Sequence, residues 1–106
     1  MNERTDEFRP EEVLLNAIKN AAKKANFTLI KILEVQLESK EGKGLELAFE
    51  NPSKFIESVK DLFGEYSGRF FELLIVQELV QSLGLKDRPD NLLEAVELLK
   101  KVSGSV

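Results

Sequence analysis

The sequence predicts an all-α protein, a single small domain of about five helices around a central apolar helix. Three observations predict it. Apolar residues recur every three or four positions over most of the chain. Residues 67–82 are apolar on nearly every side, the mark of a helix enclosed by its neighbours. Boundary residues separate the segments: Pro10, Asn51-Pro52, Gly64 and Gly84.

The chain has 106 residues, one domain's worth. Residues 1–9 read as a flexible polar tail, and "SGSV" at 103–106 as a frayed end. Pro10 suits a first helical turn, where its missing N–H costs nothing, and Glu11 and Glu12 favour the positive end of the helix dipole. Leu14, Ala17, Ile18, Ala21, Ala22 and Ala25 then form one stripe, with Asn26 as the stop.

The next stretch, "LIKILEVQLESKEGKGLELAF", admits two readings. Leu33, Val35 and Leu37 alternate with polar residues, and beyond Gly42 and Gly44 Leu45, Leu47 and Phe49 alternate with Glu46, Ala48 and Glu50. That pattern fits a β-hairpin over 29–49 and an α+β fold. Yet Leu29, Ile30, Leu33 and Leu37 also share a helical stripe, with Thr28 as an N-cap. An isolated hairpin needs a partner surface, and no third strand is in view. The helix over 28–40 is preferred, with 45–49 as an apolar connector.

Asn51-Pro52 opens the next helix, whose stripe is Phe55, Ile56, Val59, Leu62 and Phe63, closed by Gly64. The central helix follows, with Leu74 and Ile75 expected in the core. After "LKDRPD", Asp90 is read as the N-cap of a last helix carrying Leu92, Leu93, Val96, Leu99 and Val102.

Composition excludes several chemistries. Without Cys there is neither a disulfide nor a thiolate nucleophile, and without His the commonest general base near neutrality is missing. Carboxylates alone match zinc poorly, so no metal and no cofactor are expected. A net charge of -4 argues against direct nucleic-acid binding and against anionic membranes. The N-terminus lacks the apolar core of a secretory signal, and the apolar runs are too short to span a bilayer, so a cytoplasmic location is expected.

The segment "NPSKFIESVKDLFGEYSGRFFELLIVQELVQSLGL", 51–85, resembles a family of small uncharacterised archaeal helical domains related to the Nitrosopumilus output domains. The resemblance lies in Asn51-Pro52, Phe55, Phe63-Gly64 and Leu83-Gly84, and extends over roughly 14–100. It implies helix over hairpin before Asn51. It also implies a domain found alone or as the output module of archaeal regulators. No activity is implied.

The candidate sites are few. "FGEYSGRF" offers Gly64, Gly68 and Arg69 for an anion contact at a helix start. The plainer reading makes Gly64 a cap and Gly68 a point of close helix approach. Glu72 and Glu78 are candidates for an acid–base pair, but helical spacing predicts solvated carboxylates. Lys19, Lys23 and Lys24 are candidate phosphate contacts, or simply a solvated face. The helix–turn–helix look of the same joint is countered by the apolar character of the helix that follows. Phe70 and Phe71 read as a lipid-pocket lining or as core. Leu92, Val96 and Leu99 are the candidate partner-binding residues, because their stripe is wider than a bundle edge requires. A second copy of the chain is one partner for it, and filling the core is the competing use. The reading is a non-enzymatic helical protein-interaction module, an output or adaptor domain in an archaeal regulatory system. The alternative is an accessory factor in nucleic-acid transactions.

Overall fold

A computed structural model describes residues 9–26 and 28–102. The expectations for 1–8 and 103–106 lie outside the described residues. Among the described residues six helices follow in order: α1 Pro10–Ala25, α2 Thr28–Glu41, α3 Leu47–Glu50, α4 Pro52–Phe63, α5 Glu65–Leu83 and α6 Leu92–Val102. Among the described residues there is no strand, so the hairpin reading falls. The residues that suggested it show why. A strand would set Leu33, Val35 and Leu37 on one face. Here Leu33 and Leu37 are fully buried while Val35 is 69% exposed, as a 100° step dictates.

α5 is the central helix, packed against α1, α4 and α6. Phe71, Ile75, Val76 and Leu79 carry it into the core. Leu74, expected there too, is only half-buried against the core's edge. α1 meets α5 along Leu14, Ala17, Ile18, Ala21 and Ala22, where small side chains permit close approach. Where α5 leaves α4, a Cβ on Gly68 would stand 3.0 Å from the Lys60 Cα and 2.7 Å from its Cγ. Only a glycine lets the two backbones sit that close.

Two boundaries and one connector differ from expectation. Thr28 lies inside α2. The acceptor at that helix start is Asn26 Oδ1, which takes the Thr28 N–H at 3.0 Å and the Thr28 hydroxyl at 2.7 Å. The cap of α6 is Asn91 rather than Asp90: Asn91 Oδ1 accepts the Glu94 N–H at 2.9 Å, and Glu94 Oε1 accepts the Asp90 N–H at 3.1 Å. This reciprocal pairing resembles a capping box. The expected 45–49 connector instead runs into a single helical turn, α3, that buries Leu47 and Ala48, with Leu45 buried just before it. One turn is too short to show a period, so the sequence pattern hides it.

Candidate interaction surface

Leu92, Val96 and Leu99 face inward. Their side chains are 0–1% exposed and belong to the core shared with α4 and α5. The surface expected of them is therefore corrected: in the folded chain they fill the last side of the bundle. The stripe is wide because its edges, Leu93 and Val102, spill onto the surface.

The Gly64–Arg69 joint is likewise occupied by packing. Gly64 closes α4 at φ 92°, and Gly68 abuts Lys60. Arg69 points towards α6. Its Nη1 donates to Glu72 Oε1 at 3.1 Å and its Nη2 to the Asp90 carbonyl at 3.0 Å. Glu72 Oε2 in turn accepts the Leu92 N–H at 2.9 Å. Of the three residues proposed for an anion, Gly64 thus serves as a cap, Gly68 as a point of close packing and Arg69 as a clasp between α5 and α6.

Glu72 and Glu78 are both buried, against the expectation of solvated carboxylates. The middle of α5 is packed against α1, α4 and α6, so even polar positions there lie under neighbours. The six-residue separation sends them to different flanks of the helix, roughly 120° apart. Glu72 holds the clasp. Glu78 Oε2 lies against Lys24 Nζ in an ionic contact without the direction of a hydrogen bond. Lys24 is therefore drawn from the lysine cluster into a structural pair, leaving Lys19 and Lys23 as solvated residues of α1.

The exposed apolar residues lie elsewhere. Tyr66 is 93% and Phe70 59% exposed on the first turns of α5. Phe70 borders a groove of about 250 Å³ lined by Ala25, Leu29, Phe63, Ser67 and Phe71. Its floor is set by the edge-to-face pair Phe63–Phe71, with centroids 6.2 Å apart. The groove lies where α1 ends, α2 begins and the α4–α5 joint turns. Of the aromatic pair flagged in the sequence, Phe71 is core and Phe70 is surface. Helix period separates them by 100°, and only the packing partner decides which one is covered. A second exposed pair, Ile32 and Val35, stands on the outer face of α2.

At the far end of α2 the loop is tied by surface charges. Lys43 Nζ donates to Glu50 Oε1 at 2.8 Å, and this contact holds the ammonium above its ordinary pKa. Glu46 is held below its ordinary value by hydrogen bonds from its own backbone N–H and that of Gly44. Among the described residues no group of acidic side chains could hold a metal ion, and no helix is long and apolar enough to cross a membrane.

Comparison with known proteins agrees with this architecture. The family model for Nitrosopumilus output domain 5 matches residues 8–101. A crystal structure of PH0832 from Pyrococcus horikoshii OT3 superposes with a TM-score of 0.84 at 35% sequence identity, covering 90% of this chain and 97% of that one. No curated protein matches the chain.

Proposed function

The chain belongs to the Nitrosopumilus output domain 5 family, and from that premise we propose that it is a non-enzymatic interaction module, an output or adaptor domain acting in the cytoplasm. The observation that supports this reading is the groove beside Phe70. An aromatic ring 59% exposed at the edge of an apolar groove leaves most of its apolar surface in water, where a partner can cover it. Its dimensions suit one or two side chains of a partner helix rather than a whole small-molecule substrate. The buried carboxylates support the same reading, since both are engaged in holding helices together.

Site-specific photocrosslinking tests it. A benzophenone side chain at position 70 is expected to capture one protein species in the native cell. The same group at Glu57, exposed on α4, is expected to capture none of it. Equal capture at both positions would remove the groove as a docking site. Binding to DNA or RNA that falls steeply with added salt would instead favour the accessory nucleic-acid role, because phosphate contacts release counterions.

A further inference from the structure

The outer face of α2 has a spacing that neither the fold nor the groove uses. Thr28, Ile32, Val35 and Ser39 are separated by four, three and four residues, and all four are exposed. That is the spacing of a coiled-coil seam, two apolar positions bounded by two small hydroxyl residues. α2 packs chiefly on α1 and α4 through Leu33 and Leu37, so this seam points away from the bundle. Beside it stand Lys31 and Glu38. Seven residues apart, they share one flank of the seam, about 10 Å from each other along the axis. Neither has an ion-pair partner among the described residues, although Lys40 and Lys43 nearby each find one.

We propose that this face is the site of self-association, in which α2 of one chain packs antiparallel against α2 of a second copy. The charges select both partner and direction. In an antiparallel pair Ile32 packs on the partner's Val35 and Thr28 on the partner's Ser39. Lys31 then comes within reach of the partner's Glu38, and the two-fold axis makes that ion pair twice. A parallel pair would set Lys31 against the partner's Gln36 and lose both. The surface is self-complementary, which an unrelated partner would match only by accident. The seam is short, so the dimer is weak, with a dissociation constant on the order of 100 µM. The inference is independent of the Phe70 groove, whose lining includes none of the four seam residues.

Sedimentation equilibrium on the full chain, at protein concentrations up to about 1 mM, tests it. The parent is expected to dimerise reversibly. Lys31→Glu and Glu38→Lys each replace two attractive contacts by two repulsive ones and are expected to weaken the dimer about tenfold. Mixing these two variants restores opposite charges at both contacts, so the mixture is expected to regain association between unlike chains. The double swap Lys31→Glu/Glu38→Lys is expected to regain it alone. Val35→Asp should abolish dimerisation with an unchanged circular dichroism spectrum and melting temperature, because the side chain is exposed. A parent that stays monomeric throughout the range overturns the proposal. So does a dimer indifferent to the charge reversals, or a mixture that stays apart.

Discussion

α2 and α6 are both peripheral amphipathic helices, and they divide their apolar residues in opposite ways. α6 turns Leu92, Ala95, Val96 and Leu99 into the core and leaves Leu93 and Val102 at the edge. α2 buries only Leu33 and Leu37 and leaves Ile32 and Val35 in solvent. Their attachments differ as well. The start of α6 is anchored by the buried carboxylate of Glu72, by Arg69 and by its own cap. The start of α2 hangs on the exposed Asn26. The wider stripe thus belongs to the helix the domain needs, and the leftover apolar residues mark the helix with capacity to bind. Stripe width is a poor guide to an interface. Residues beyond what packing consumes are a better one.

The strongest way to break this contrast is to truncate one residue from each helix. Leu99→Ala should cost about 2–5 kcal/mol, because it opens a cavity under α6. Val35→Ala should stay within about 0.5 kcal/mol, since its side chain is already in water. Urea denaturation of the monomer, read at low protein concentration, compares the two. A cost at Val35 approaching that at Leu99 would mean that α2's outer face is part of the fold after all.

The two helix anchors sharpen the same contrast at a smaller scale. Glu72→Ala leaves the Leu92 N–H and the Arg69 guanidinium short of a buried acceptor, and should cost about 1–3 kcal/mol. Asn26→Ala removes an exposed cap, which should cost about 0.5–1 kcal/mol. The ordering Glu72 above Asn26, by the same denaturation, is the expected outcome. Equal costs would show that α6 is held by its apolar face alone.

Much of this was legible in the sequence. α1, α4 and the central α5 follow from periodicity and from Pro10, Asn51, Gly64 and Gly84, because caps and period are local properties. The helical reading of 28–40 also stood, since Leu29 and Ile30 extended the stripe beyond the alternation. Long-range facts escaped. Glu72 and Glu78 looked solvated until the middle of α5 acquired neighbours in α1, α4 and α6. Leu92, Val96 and Leu99 looked available because nothing local says how large the remaining gap in the core is. The Phe70 groove is formed by the end of α1, the start of α2 and the α4–α5 joint, so no single segment announces it. A signal for the α2 seam was present in the 28, 32, 35 and 39 spacing. It could be separated from the core stripe only once Leu33 and Leu37 were known to face inward.

The smallest effect concerns the loop that follows α2, and it tests whether that helix is loosely held at both ends. The Glu46 carboxylate folds back over Gly44, close enough that a Cβ there would lie 2.8 Å from Oε1. Backbone N–H groups of Glu46 and Gly44 favour the charged form and draw its pKa below the ordinary 4.5. A carboxylate whose pKa is lower in the folded than in the unfolded chain adds stability above the unfolded value. That contribution disappears as pH falls through the folded value. Glu46→Gln should therefore be slightly less stable than the parent at pH 6, and the difference should vanish well below pH 4. The side chain is solvent-exposed, so screening keeps the effect small. Thermal melts of both proteins across that range provide the measurement. If the difference persists undiminished at low pH, the loop is held by the shape of the side chain rather than its charge. The end of α2 would then be as firmly fixed as the start of α6.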